Sequence, residues 1–310
     1  MFPPGYRIGH ATDALRRTGC TVVLPPPGTV AAVDVRGGAP GTRETGIFTP
    51  GNLVSEIHAV VFAGGSALGL EAATGVSLWL RERGVGYAIG PARVPIVSGA
   101  VLFDLAVGDA GAFPDAAMGR SACDSAAGPD PASGPVGAGA GAMVGKLLGV
   151  ERASRGGVGL AALDLPDGTR VAALAAVNAF GDVVDPASGE VLAGPGAGGR
   201  AFRSERALRE ETLDGSPLAA ANTTLVCVAA GHPFDPGALR RVAIEAHDGI
   251  ARAVRPAHTV VDGDVVFALA PGGPTPPVLT RLRVGAAAAE VTARAIVAAV
   301  TMIPASGAPR

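Results

Sequence analysis

Cysteine is almost missing from this 310-residue sequence, and lysine occurs once. Cys20, Cys123 and Cys227 stand far apart with no CxxC pair, which excludes a disulfide framework and a zinc site. Aromatics make up only 4% of the residues, and no uninterrupted apolar run approaches the roughly 20 residues that span a bilayer. The formal charge of −2 gives no electrostatic pull towards nucleic acid or an anionic membrane surface. The opening stretch MFPPGYRIGHATD lacks the basic and hydrophobic regions of a secretory signal. A soluble cytoplasmic protein without nucleic-acid or membrane partners is the expectation. Basic residues are otherwise all arginine, so Lys146 marks a place where an ammonium of tunable pKa serves and a fixed guanidinium does not.

What the chain does have is 48% hydrophobic residues punctuated by 46 Gly and 26 Pro. That is a globular composition rich in tight turns, with enough length to bury a sizeable core. TVVLPPPGTVAAV reads as a hairpin across PPPG, and AALDLPDGTRVAAL as a second hairpin turned at Pro166–Gly168. HAVVFAGG is a strand closing on glycines. The helix after it carries Leu68, Ala72, Val76 and Trp79 or Leu80 on one face and stops at Gly84. GYAIGPARVPIVSGAVLF predicts two short strands, 124–137 a loop, and GAGAGAMVGKLLG a small-residue helix. The stretch 185–216 is turn-rich, then charged. Residues 235–254 form a strongly amphipathic helix capped by Asp235 and ended by Pro256, HTVVDGDVVFALA a hairpin around DGD, and 278–302 a closing helix. Strands and helices in blocks, joined by hairpins rather than βαβ units, predict an α+β fold of layered antiparallel sheets between helices.

Two stretches carry chemistry. A strand running into GGSALG and a helix points free N–H groups outward and favours negative charge, as an oxyanion or a phosphate would present. A dinucleotide site at this turn wants an acidic residue at the end of the next strand, and GYAIGPAR has none. The second stretch is Asn222-Thr223-Thr224, polar residues set against the apolar strand LVCVAA after a charged, flexible segment. No GxSxG elbow is present, and His58, His232, His247 and His258 are scattered, with His247 read as a boundary residue. A threonine activated by its own α-amine needs no histidine: that amine titrates at about 7.7–8.0 and can take the hydroxyl proton. It exists only if the chain is cut before Thr223.

Five segments resemble, in order, those of the self-cleaving amidohydrolases that include DmpA-type aminopeptidases, β-peptidyl aminopeptidases and the nylon-oligomer endohydrolase. They are FAGGSALGLEAATGVSLWL, GPVGAGAGAMVGKLLG with RGGVGL, AVNAFGDVVDPASG, ANTTLVCVAA and VDGDVVFALA. The resemblance implies a four-layer αββα sandwich, 1–310 as one domain, cut between Asn222 and Thr223 into an α chain (1–222) and a β chain (223–310). It implies Thr223 as nucleophile, Asn178 in the oxyanion hole, and backbone donors around Gly64 and Leu68. It further implies catalytic roles for Lys146 and for Asp262 and Asp264, which orient the nucleophile, and a place near the pocket for Trp79. Asp262 and Asp264 stand where the β-peptidyl enzymes have Ser and Glu, and Trp79 where DmpA-type enzymes have Tyr. The implied activity is hydrolysis of small peptides or amino-acid amides by a homotetramer with no cofactor and no metal. The alternatives are an acyltransferase like ornithine acetyltransferase, a nucleotide-binding oxidoreductase built on GGSALG, and a member that never cuts itself.

Overall fold

Strands β1 (Arg7–Asp13) and β2 (Thr18–Leu24) pair antiparallel, but β3 (Thr29–Val35) leaves them for a second sheet. The computed structural model describes residues 1–49, 51–196, 203–210 and 222–302, and it corrects the expected hairpin across Pro25–Gly28. Three consecutive prolines offer no N–H to a ladder and fix φ, so the segment is an arm between sheets and not a tight turn.

The first sheet has the order β1-β2-β5-β6-β4, with β4 (Thr42–Arg43), β5 (Ala59–Ala63) and β6 (Val97–Val101). The second has the order β7-β8-β9-β10-β3, with β7 (Gly157–Asp164), β8 (Arg170–Asn178), β9 (Thr223–Ala230) and β10 (Val265–Pro271). The helices are α1 (Glu71–Glu82), α2 (Ala116–Asp124), α3 (Ser204–Glu210), α4 (Pro236–Ala253) and α5 (Val278–Thr301). Each sheet holds one parallel pair, β5 with β6 across α1 and β9 with β10 across α4. These two βαβ crossovers correct the expectation of hairpins alone. The hairpin turned at Pro166–Gly168 does form, from Gly157↔Val177 to Asp164↔Arg170.

Period-two alternation in the second sheet divides its side chains between two cores. Leu174, Leu225 and Phe267 face the first sheet and meet Val60 and Phe62, while Val226, Val228 and Val266 face Leu239 and Ile250 of α4 and Ile296 of α5. On the far side of the first sheet, Val22, Val61 and Val97 pack on Ala72, Val76 and Leu80 of α1 and Ala122 of α2. The layers therefore run helix, sheet, sheet, helix. Asp235 caps α4 through Gly237 N–H (3.0 Å) and Ala238 N–H (3.1 Å), a contribution of about 1 kcal/mol. Helix α5 is long and apolar enough to cross a bilayer by length and composition, although Arg281, Arg283, Glu290 and Arg294 interrupt it. Inside this fold 61% of its most apolar stretch is buried, and it packs on α4 and β7.

Other expectations shift. Residues 137–149 form a one-turn 3-10 helix, Gly137–Gly139, and a two-residue strand, Met143–Val144, instead of a helix. Gly137, Gly145 and Gly149 all adopt positive φ there. Residues 87–101 hold three strands: Tyr87–Ile89 and Ala92–Val94, paired as a hairpin, precede β6. The chain makes a 3-10 turn at Ser66–Leu70 before α1 starts. The predicted hairpin around DGD yields only β10; 258–264 is a loop. Of the turn-rich and charged stretch, the short strand Val191–Ala193 and α3 are described; 197–202 and 211–221 lie outside the described residues.

Candidate active site

Asn178 ends β8 and Thr223 begins β9, and the antiparallel register sets them directly opposite each other. Leu174 and Leu225 face the inter-sheet core, so alternation turns Asn178 and Thr223 to that same face. Both are buried. One residue earlier, Asn222 forms a parallel bridge with Asp262. The Asn222 carbonyl oxygen accepts Gly263 N–H at 2.9 Å and the Thr223 hydroxyl at 2.5 Å. Asn222 Nδ2 donates to the Val261 carbonyl at 3.1 Å. A Cβ on Gly263 would lie 2.5 Å from the Ala39 carbonyl oxygen and 3.0 Å from Thr223 Oγ1, so only glycine allows this approach.

The aspartates flanking Gly263 are both buried. Asp262 Oδ1 accepts Phe180 N–H (3.2 Å), and its Oδ2 accepts the Thr259 N–H (3.1 Å) and hydroxyl (2.5 Å). Asp264 Oδ1 accepts Thr224 N–H at 2.6 Å, and its Oδ2 accepts His258 Nδ1–H at 2.7 Å and His258 N–H at 3.1 Å. Burial, and then the charge of Asp264, push the Asp262 carboxyl up, against the donors from Thr259 and Phe180.

Lys146 follows the short strand Met143–Val144 and is tied to the turn after β8: Gly145 N–H donates to Gly181 O and Lys146 N–H to Phe180 O, each at 3.0 Å. Its Nζ donates to Asn178 Oδ1 at 2.9 Å, which also accepts Met143 N–H at 3.0 Å, while Asn178 Nδ2 donates to the Phe103 carbonyl at 3.0 Å. Burial pushes the Lys146 ammonium down to about 7, opposed by the charges of Asp262 and Asp104. Asp104, buried and pushed up by that burial, accepts Gly65 N–H at 2.7 Å. Lys146 bonds Asn178, Thr223 stands opposite Asn178, and Asp262 and Asp264 flank the Gly263 N–H on the Asn222 carbonyl, so the expected residues gather around the Asn222–Thr223 peptide from both faces of the sheet.

The glycine turn is used differently from the expectation. Gly64 N–H donates to the Gly19 carbonyl (2.9 Å) and Ser66 N–H to that of Leu102 (3.0 Å), so the Gly64 donor is committed to the first sheet. A Cβ on Gly64 would lie 2.0 Å from Asp104 Oδ2, which makes it a packing glycine. The nucleotide reading falls away here, because a carboxylate occupies the Gly65 donor that a phosphate would need. Leu68 sits exposed in the 3-10 turn. Trp79 is not brought to the Thr223 cluster: it is buried between α1 and α2, with Nε1 donating to Asp124 Oδ1 at 2.7 Å and Arg83 stacked 3.7 Å above its ring. Missed by sequence reasoning were the Gly263 N–H, Asp104, His258 and Thr259. The only sequence signal for the last two is their place four and three residues ahead of Asp262, which no general rule singles out.

Residues 4–307 match Peptidase family S58, and the chain belongs to that family. An uncharacterized aminopeptidase of Mycobacterium tuberculosis is 46% identical over 332 residues, covering 98% of this chain and 94% of the relative. A 6-aminohexanoate-oligomer endohydrolase of Kocuria sp. is 35% identical over 272 residues, covering 86% of this chain and 73% of the relative. Among solved structures, the L-aminopeptidase D-Ala-esterase/amidase of Ochrobactrum anthropi superposes with a TM-score of 0.74 at 18% identity, over 98% of this chain and 86% of that one. A β-aminopeptidase of Burkholderia sp. gives 0.72 at 22% identity, over 96% and 84%. The αββα fold is that of these aminopeptidases, and the chain is a peptide hydrolase.

Proposed function

We propose that this peptidase activates itself by cutting between Asn222 and Thr223 and then hydrolyses amide bonds of small peptides or amino-acid amides with Thr223 as nucleophile. One observation carries the reading: the Thr223 hydroxyl and the Gly263 N–H converge on the Asn222 carbonyl, with Asn178 directly across the sheet. The uncut chain has no α-amine at Thr223, so the precursor needs another base. Lys146, lowered to about 7 and bonded to Asn178, supplies a neutral amine near neutrality. Thr223 Oγ bonds to the Asn222 carbonyl carbon as its proton passes to that amine. The oxyanion rests on Gly263 N–H. The C–N bond then breaks, its nitrogen takes the proton back from Lys146, and an Asn222 ester of Thr223 remains. Water opens the ester, leaving an Asn222 carboxylate and a free Thr223 amine.

In the cut enzyme that amine takes the hydroxyl proton as Oγ attacks a substrate carbonyl, and returns it to the leaving amine. Water releases the acyl group. The substrate class follows from the aminopeptidase and oligomer-hydrolase relatives. A cytoplasmic location, a homotetramer of cut protomers, and Leu68 as a neighbour of the substrate complete the proposal. Intact mass on purified protein tests it. Apportioning 30.4 kDa by length gives fragments of about 22 and 9 kDa, the smaller beginning at Thr223. Thr223→Ala must abolish both the cut and the hydrolysis; an active Thr223→Ala protein overturns the reading.

A further inference from the structure

The loop 258–264 braces itself. Its first two residues hold its two aspartates, His258 on Asp264 and Thr259 on Asp262. Between those aspartates sits Gly263, whose N–H touches the carbonyl to be cut. A carboxylate only accepts, so the hydrogen-bond network assigns the proton of His258 to Nδ1. Its Nε2 is buried with no partner among the described residues. The ring stands edge-on to His247, with centroids 4.8 Å apart and planes at 72°.

His247 lies wholly buried on α4, opposite its expected place at the boundary. Its Nε2–H donates to the Asp34 carbonyl at 3.1 Å, and Asp34 Oδ1 is 3.4 Å away beside Arg36. Burial pushes the His247 ring down to about 4, so it packs as a neutral wall. The same alternation that turns Val266 and Ala32 towards α4 turns Asp264 and Asp34 that way too. The two histidines therefore share the space under α4, while Thr223 lies on the other face of the sheet. His258 holds φ of +55°, a conformation costing a non-glycine residue on the order of 1 kcal/mol, kept only where its surroundings fix it.

We infer that His258 is a positioning residue of the reaction. Its Nδ1–H fixes Asp264, Asp264 fixes the Thr223–Thr224 peptide, and the nucleophile stays aimed while Gly263 N–H stays on the reacting oxygen. The inference rests on the proposed function. No atom of His258 needs to touch substrate.

The test measures self-cleavage of freshly refolded protein and kcat and KM of the cut enzyme. His258→Phe removes the donor and should slow both the cut and kcat about 100-fold, the scale expected for small misplacement of reacting groups, with KM nearly unchanged. His258→Asn puts its Nδ2 where Nδ1 stood and accepts the left-handed φ; it should recover to within about fivefold of wild type. His258→Gly, relaxed at that φ, should be slow alone and accelerate when imidazole is added. The glycine variant decides the matter if the phenylalanine variant does not fold. Wild-type rates in His258→Phe or His258→Gly overturn the inference, as does a glycine variant deaf to imidazole together with an asparagine variant as slow as phenylalanine. Thr223→Ala runs in parallel. If it is inert while the His258 variants are normal, only the inference fails; if it still cuts, the underlying reading fails.

Discussion

Asn178 and Thr223 are cross-strand partners: the last residue of β8 lies opposite the first residue of β9, both buried and both facing the first sheet. The pairing makes the placement of Thr223, the proposed nucleophile, a property of the hydrogen-bonded ladder between β8 and β9. It also brings Lys146 in, because Asn178 Oδ1 is the acceptor for its Nζ.

Asn178→Ala should therefore injure two functions at once. It removes the acceptor of the Met143 N–H and of Lys146 Nζ, for a loss of about 1–3 kcal/mol in stability. It should slow self-cleavage by about 100-fold, the scale for misplacing a reacting group, because the proposed base Lys146 loses its anchor. Time-resolved denaturing gels and thermal melts of the uncut protein read both effects. Normal cutting in a folded Asn178→Ala protein would remove Asn178 from the site.

Gly263→Ala asks whether the backbone N–H on Asn222 matters. The added methyl meets the Ala39 carbonyl at 2.5 Å and Thr223 Oγ1 at 3.0 Å, so the loop must back away from the bond to be cut. Cleavage should slow by about 100-fold. Gly46→Ala, where a Cβ meets none of the described residues within 4 Å and φ is not positive, serves as the control and should cut normally.

How much of this was legible beforehand differs by element. The hairpin over Pro166–Gly168 and the Asp235-capped helix were readable because turn chemistry and 3.6-residue periodicity are local. The parting of β2 and β3 was not, because β2 is buried along its whole length and β3 over its first four residues, and their sequences do not say which sheet they join. Lys146 stood out as the only lysine, and Asn222-Thr223 as polar residues against a buried strand. The DGD segment misled: it looks like a hairpin turn, yet Gly263 donates its N–H to the Asn222 carbonyl, and the partners of the aspartates are set by tertiary packing. His247 was misplaced for a related reason. Its partner His258 is eleven residues on, and only the return of β10 beside β9 brings the two rings together.

The contact of α4 with α5 offers a test of the fold apart from the chemistry. A Cβ on Gly249 would lie 2.2 Å from the Ala289 carbonyl oxygen, so Gly249→Ala must push the helices apart. Overpacking of this kind costs about 1–3 kcal/mol. A lowered melting temperature with unchanged cutting per folded molecule is the expected result.

The pH dependence of self-cleavage isolates Lys146. Only its neutral amine can take the Thr223 proton, and burial lowers its pKa to about 7. The rate should climb about tenfold per pH unit below that value and level off above it. Lys146→Arg keeps a charge at every accessible pH, so it should cut at least about 100-fold more slowly and show no inflection near 7. The same lowering carries a stability sign. The unfolded chain holds the lysine proton up to 10.5, whereas the folded chain releases it near 7. Between those values the unfolded state binds more protons, so this group's contribution to stability rises with pH, and below about 7 the cost of burying the ammonium is present in full. Melts of the uncut Thr223→Ala protein from pH 7 to 10 should show that rise, and Lys146→Met in the same background should flatten it. A wild-type cleavage rate that ignores pH between 6 and 8 would leave Lys146 as a bystander and require a different base for the first proton.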